Sequence, residues 1–393
     1  MSDNWPKVPV SQLATIVLGG TPSRRIQNFW NGKIPWATAR DVASSSGRYF
    51  EKVQEYITEE GLQHSAAKLL PKETIIITAR GTVGSLAMLG QDMAFNQTCY
   101  ALLPKEIIDN GFLYYALKGT LKEMEALTYG TVFNTITIQT FNNWLVPLPN
   151  IAEQRAIAHI LGTLDDKIEL NRRMNETLEQ MARAIFKSWF VDFEPVRAKM
   201  SGRWKKGESL PGLPAHLWDL FPDRLVPSEL GNIPDGWKIS DLHNVAHFLN
   251  GLPLQNYPPK EGKGLPIIKI SQLHSMNFLG ADLASADIDP DFIVNNGDII
   301  FSWSGSLECV LWTGGKGALN QHLFKVSSQS FPVWLVYFWI HQHLPAFREI
   351  AAGKATTMGH IQRHHLEEAK IISPPTFIME KADELISPLW VKL

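Results

Sequence analysis

Apolar residues fall in short runs along this chain, and the most telling run occurs twice. Leu69-Leu70-Pro71-Lys72-Glu73-Thr74-Ile75-Ile76-Ile77-Thr78-Ala79-Arg80-Gly81 and Ile293-Val294-Asn295-Asn296-Gly297-Asp298-Ile299-Ile300-Phe301-Ser302-Trp303-Ser304-Gly305 each carry an apolar stretch into a small, polar, glycine-containing loop. Asn96-Gln97 follows the first copy and Asn320-Gln321 the second, at the same distance. Upstream, Ile34-Pro35-Trp36 answers Leu265-Pro266-Ile267, and Trp5-Pro6-Lys7 answers the Trp237-Lys238 region. Downstream, Gly130 and Ile138-Gln139 answer Gly353 and Ile361-Gln362. Solenoid units run to roughly 20–50 residues. This repeat is domain-sized, so it reads as a duplication. Short runs at 75–78, 99–103 and 145–148, punctuated by Gly and Pro, predict strands. Residues 111–127 and 332–350 predict the matching helices. Each repeat, 1–149 and 230–375, reads as a mixed α/β (α+β) domain, and two related domains suggest a molecule that reads two related things at once.

Between the repeats the periodicity changes to that of a helix. Asn150 with Glu153 forms a capping-box signal. From there to about Phe190 the only Gly is Gly162, which predicts a kink or break between a short first helix and a long second one. A heptad seam runs through Ile157, Leu161, Leu164, Ile168, Asn171, Asn175, Leu178, Ala182, Ile185 and Trp189, apolar but for the two Asn, which would fix register and orientation. The alternative is an ordinary amphipathic helix packed on its own domain. A helix over 165–188 would span about 36 Å, close to one turn of B-DNA. The central helical spacer is placed at 150–192. Residues 193–229 read as a solvated linker, with a Lys/Arg cluster (Arg197, Lys199, Arg203, Lys205, Lys206) that phosphate could also use. A distal helix is placed at 376–393 with Thr376 as cap. It is expected to be truncated relative to the first and to leave Leu178 and Ile185 exposed.

Composition then narrows the class. The 393 residues, 45% hydrophobic, can fill two or three cores. The start has neither a basic nor an apolar signal region, and no apolar run reaches membrane length, so a cytoplasmic protein without membrane contact is expected. Cys99 and Cys309 read as reduced core thiols rather than an interdomain disulfide. A net charge of −2 excludes a uniformly basic protein but allows local basic patches on DNA. No catalytic constellation stands out. Gly353-Lys354-Ala355-Thr356 lacks the first Gly of a phosphate loop, and Asn256-Tyr257-Pro258-Pro259 has the wrong order for an amino-methyltransferase tetrapeptide. His341, His343, His364 and His365 have no ligand at a fixed spacing, so no metal is expected. The chain reads as a binding and scaffolding protein.

Val146-Pro147-Leu148-Pro149-Asn150-Ile151-Ala152-Glu153-Gln154-Arg155-Ala156-Ile157, Leu164-Asp165-Asp166-Lys167-Ile168 and Phe186-Lys187-Ser188-Trp189-Phe190-Val191-Asp192-Phe193 closely resemble the central conserved region of type I restriction–modification specificity subunits. The landmarks of both repeats resemble that family's target recognition domains. The resemblance implies two tandem target recognition domains separated by long helices that form a coiled-coil-like spacer. Each domain would read one half of a bipartite, asymmetric site in double-stranded DNA. Two modification subunits would dock on the helix seam (Ile157, Leu161, Leu164, Ile168, Asn171, Asn175, Leu178, Ile185, Trp189), and restriction subunits would join them. S-adenosylmethionine, ATP and Mg would sit on those partners, with no cofactor on this chain. The alternative is a truncated or orphan relative that scaffolds or binds DNA non-specifically.

Base-reading residues should differ between domains that read different half-sites. On that criterion the candidates in the first domain are Thr21, Ser23, Arg24, Arg25, Arg40, Thr78, Arg80, Thr82 and Asn134. In the second they are Gln255, Lys269, Ser271, Gln272, Ser302, Trp303, Ser304, Lys354 and His360. Arg and Lys suit guanine edges or phosphates, and Asn and Gln suit adenine. Asn96-Gln97 and Asn320-Gln321, which recur, read as structural.

Overall fold

The computed structural model describes residues 5–45, 47–128, 135–260, 262–353 and 359–392. Two compact units divide the chain, Met1–Arg173 and Met174–Leu393. In the first, the strands Ala14–Leu18, Cys99–Pro104, Ile75–Thr78, Leu86–Leu89 and Tyr49–Phe50 form one sheet in that order, and Glu55–Ile57, Trp30–Ala37 and Ala94–Phe95 form another. The second unit repeats the plan. His247–Asn250, Leu323–Ser327, Ile299–Ser302 and Cys309–Leu311 stand in the order of the first four strands, and Leu283–Ala284, Leu265–Ile268 and Gly317–Leu319 repeat the smaller sheet, with Ile293–Val294 added at its edge. Even the parallel pairing recurs, Trp36 with Ala94 and Ile267 with Ala318. The duplication read from the landmarks is therefore a duplication of topology.

The uninterrupted apolar runs have a reason. Ile75 and Ile77 enter one core of the first unit and Ile76 another, so the strand is buried on both faces. Ile299 and Phe301 against Ile300 do the same in the second unit. Alternation of apolar and polar residues disappears when neither face meets water. The stretch 111–127 is two helices, Asn110–Gly119 and Leu121–Thr128. At the break, the Thr120 hydroxyl donates to the Ala116 carbonyl (2.8 Å) and accepts the Trp144 indole N–H (2.9 Å).

The central helix is continuous over Ile151–Phe186. Its 36 residues are about 54 Å long at 1.5 Å per residue, more than the length expected for 165–188. The capping box is formed: Asn150 Oδ1 accepts the Glu153 amide at 3.0 Å, and Glu153 Oε2 accepts the Asn150 amide at 3.3 Å. Buried Gln154 accepts the Asp109 amide (2.8 Å) and donates to the Pro149 carbonyl (2.9 Å), fixing the helix start to the first unit. Gly162 does not break the helix. A Cβ there would stand 2.6 Å from the Arg48 guanidinium. Arg48 lies across this gap to meet Asp166 Oδ1 (2.7 Å) and the Tyr115 hydroxyl (3.3 Å), which donates to Asp165 Oδ2 (2.8 Å). The glycine is there for close approach, and helix propensity yields about 1 kcal/mol to it.

The helix ends in one wide π turn, Lys187–Val191, followed by Phe193 in the left-handed region (φ 54). The expected linker is instead folded. Phe193, Val196, Ala198, Trp204, Leu213, Leu217 and Phe221 are buried in the core of the second unit with Phe186, Trp189 and Phe190. Its basic cluster is largely committed internally: Lys199 donates to the Trp218 and Phe221 carbonyls, Arg203 pairs with Glu194, and Lys206 with Asp219. The distal helix runs over Thr376–Trp390 with Pro375, not Thr376, at its cap position. Leu178 and Ile185 are half-buried rather than exposed. Cys99 and Cys309 are free and buried, and burial pushes the Cys99 thiol up to about 12. No helix of the described residues is long and apolar enough to cross a membrane.

Burial also lowers His341 to about 4, with Arg183 adding to the shift. The unfolded chain takes up that proton near pH 6.5, whereas the folded chain does not. The contribution of this neutral imidazole is therefore complete above pH 6.5 and is lost as pH falls through 6.5 toward 4. Between pH 7 and pH 5 the second unit should lose roughly 2 kcal/mol from this group. Denaturant titrations at both pH values check it, and His341→Gln should flatten the dependence.

Candidate nucleic-acid interface

One end of each unit is built from loops tied to each other by backbone hydrogen bonds. In the first unit the Gly20 amide donates to the Phe95 carbonyl (2.9 Å), Asn96 to Ala37 (2.9 Å) and Ala79 to Thr98 (2.7 Å). Side chains add to these ties: the Trp36 indole donates to the Gly20 carbonyl (2.9 Å), Thr21 to Gln97, and Thr82 to the Ala39 carbonyl (3.5 Å). Gly19 has no alternative here, because a Cβ would lie 2.1 Å from the Asn96 carbonyl oxygen. Thr21, Ser23, Arg24, Arg25, Arg40, Arg80 and Thr82 thus lie on the loops, or the helix start, that this network draws together. Ser23, Arg24, Arg25, Arg40, Arg80 and Thr82 are exposed. Arg24 stacks on Trp30 (3.8 Å to the ring centre) and binds Glu55 with both terminal nitrogens. Asn134 lies outside the described residues.

The second unit repeats the network with other side chains. Leu252 donates to the Leu319 carbonyl (3.0 Å), Asn320 to Ile268 (3.3 Å), Gly305 to Gly359 (2.8 Å) and Ile361 to Trp303 (2.9 Å). Gly251 meets the Asn320 carbonyl as Gly19 meets that of Asn96, at 2.2 Å from a built Cβ. Half-buried Trp303 donates to Asn250 Oδ1 (3.0 Å) and lies against His322 and His360. The Ser304 hydroxyl, itself buried, meets His322 Nδ1 at 3.1 Å. Lys269, Ser271 and Gln255 are exposed, with Lys269 paired to Asp282. Lys354 lies outside the described residues.

Three candidates have structural work instead. Thr78 and Ser302 are buried at the same place in the two copies. The Thr78 hydroxyl donates to the Thr82 carbonyl and accepts the Ser85 amide (3.0 Å); that of Ser302 donates to the Ser306 carbonyl (2.5 Å) and accepts the Glu308 amide (2.8 Å). Each pins its loop shut and is fully buried, out of reach of a base. Gln272 is buried and its Oε1 accepts from the Lys269 amide (3.2 Å) and the Ser271 hydroxyl (2.9 Å), the task Asp41 performs for Thr38 in the first unit. Ser302→Ala should cost about 1–3 kcal/mol by orphaning a buried amide, with thermal melting as the check. Asn96 and Asn320 are also structural: their Oδ1 atoms accept the amides of Thr98 (3.1 Å) and His322 (3.2 Å).

Sequence reasoning passed over Asn250 and His322. The signal for His322 was present, since Asn96-Gln97-Thr98 and Asn320-Gln321-His322 differ at their third position inside a shared landmark. Among the described residues His364, His365 and Glu368 bring potential ligand atoms within 4.8 Å of one another. His365 Nδ1 already accepts the Gln362 amide at 2.8 Å as a helix cap, which leaves the proton of the neutral ring on Nε2 and no free lone pair for an ion. His343 Nε2 donates to the Lys370 carbonyl (2.9 Å).

Along the central helix, Ile160 (60% exposed), Leu164 (52%) and Ile168 (65%) lie on one face, continued by Leu161 and Asn171. Leu170, Met174 and Met181 are exposed beside it. Ile157, Asn175, Leu178 and Ile185 are half-buried. Trp189 is 1% exposed within the core of the second unit, so it is unable to serve as a docking residue.

Residues 2–180 and 234–383 match the family described as Type I restriction modification DNA specificity domain. The MjaIX specificity subunit of Methanocaldococcus jannaschii is 27% identical over 99% of this chain and 88% of that protein. The EcoKI specificity subunit of Escherichia coli is 23% identical over 79% of this chain and 64% of that protein. The crystal structure of the type I restriction–modification S subunit from M. genitalium shares the fold, with a TM-score of 0.52 at 17% identity over 99% of this chain and 90% of that one.

Proposed function

Because the chain belongs to the type I restriction modification DNA specificity family, we propose that its two loop clusters each read one half of a bipartite site in double-stranded DNA. The chain itself is catalytically silent in this reading. Its helices set the unread gap and carry the modification subunits, which bring S-adenosylmethionine and methylate adenine. Restriction subunits bring ATP and Mg.

The observation that carries the reading is the repeated loop network with exchanged side chains. The same backbone ties recur in both units, while the side chains at matched places differ, Thr38 against Lys269, Ala79 against Trp303 and Arg80 against Ser304. A shared frame holding different donors and acceptors is what two different half-sites require, because base edges differ in donor and acceptor pattern. The apolar face at Ile160, Leu164 and Ile168 supports the docking of partners. The test is selection from a random duplex library by the full chain assembled with its modification subunit. Two specified tracts at one fixed separation are expected; a single continuous tract, or no enrichment, contradicts the reading.

A further inference from the structure

The repeat contains one correspondence that its sequence landmarks do not mark. In the first unit Pro35 stands opposite Tyr56 and Trp36 opposite Glu55. In the second, Pro266 stands opposite Leu283, and the Ile267 amide donates to the Asp282 carbonyl at 2.8 Å. Pro35 and Pro266 are equivalent, so Glu55 and Asp282 occupy the same place in the two domains. Each carboxylate holds a cation at the loop cluster. Glu55 Oε2 takes Arg24 Nη2 at 2.8 Å and its other oxygen takes Nη1. Asp282 Oδ2 takes Lys269 Nζ at 2.5 Å.

The two cations come from different places. Arg24 belongs to the loop after the first strand of its sheet. Lys269 stands just before the helix Ile270–Ser275, the position Thr38 fills before Ala39–Ala43. What recurs is the acid, and what varies is the base. Stability does not explain this recurrence. Both strand pairs are closed by backbone hydrogen bonds, and the ion pairs are solvent-exposed, Asp282 to 69% and Glu55 to 34%, where such pairs add little. An acid pointed at the loops of a DNA reader also repels phosphate.

Resting on the DNA-reading function above, we propose that Glu55 and Asp282 are specificity-setting masks. Each neutralises the cation beside it in the free protein and releases it only to a DNA site whose bases fit the rest of the loop cluster. Non-specific affinity comes from cations that neutralise phosphates, so masking lowers it, while the correct site recovers the cation by replacing the carboxylate. Discrimination is a difference of affinities and grows when the wrong complex is penalised. Arg24 and Lys269 hold their partner carboxyls below the usual carboxylate range, so both masks stay charged at neutral pH.

The test is the salt dependence of binding of the full chain to a random-sequence duplex. Glu55→Gln and Asp282→Asn should each tighten this binding about threefold and steepen the slope of log K against log salt by about 0.9, one freed cation apiece. In an Arg24→Gln background, Glu55→Gln should leave the salt slope unchanged, because no cation remains there to be freed. Unchanged or weaker binding by both single variants would overturn the mask and make the acids positioning residues. Melting confirms folding, and Asp282→Asn, at the more exposed site, carries the test if Glu55→Gln fails to fold. A wild-type chain that prefers no selected duplex would instead overturn DNA reading itself, a separate measurement from the random-duplex slope.

Discussion

Replacing Leu164 and Ile168 together by glutamate should abolish assembly with the modification subunit and leave the chain folded. Both side chains are more than half exposed in a helix whose backbone is fully bonded, so glutamate, itself a good helix former, costs the isolated chain little. Against a partner the two charges would be buried without counterions, at several kcal/mol. Co-purification should fall at least a hundredfold, with a melting temperature within a few degrees of wild type. Survival of the complex would show that the partner docks elsewhere.

The same helix should respond oppositely two turns before the chain enters 193–229. Phe186 is buried against Phe190, Phe338 and Trp339, in the core that also holds Trp204 and Phe221. Phe186→Ala should cost about 3–5 kcal/mol by leaving a cavity, measured by denaturant unfolding. It should also expose tryptophan fluorescence from 193–229, because that segment unfolds with the second unit. A solvated linker would give no such coupling.

The contrast between these two sites shows what the sequence could and could not carry. Ile75–Thr78 and Ile299–Ser302 were legible because a strand buried on both faces carries consecutive apolar residues, here Ile75–Ile77 and Ile299–Phe301. The Asn150–Glu153 cap was legible because its partners lie three residues apart. Gly162 misled because its reason, the Arg48 guanidinium, stands far away in sequence. Residues 193–229 misled because Phe193 and Trp204 stand alone, the helical spacing of Leu213, Leu217 and Phe221 is interrupted by Pro214, and their Lys and Arg neighbours bond to carbonyls and acids of the same segment. At the loops, difference between the repeats picked out Arg40 and Arg80, which are exposed. It failed at Thr78 and Ser302, where a hydroxyl of either kind closes the same loop. The acids at Glu55 and Asp282 were invisible until strand register aligned them.

The most direct test of the account is to express the chain with its modification subunit and map methylated adenines across the host genome. The account predicts one bipartite motif with a fixed unread gap, and exchange of residues 1–149 for those of a relative should change one half only. Methylation without a bipartite motif, or a change in both halves on that exchange, would contradict it.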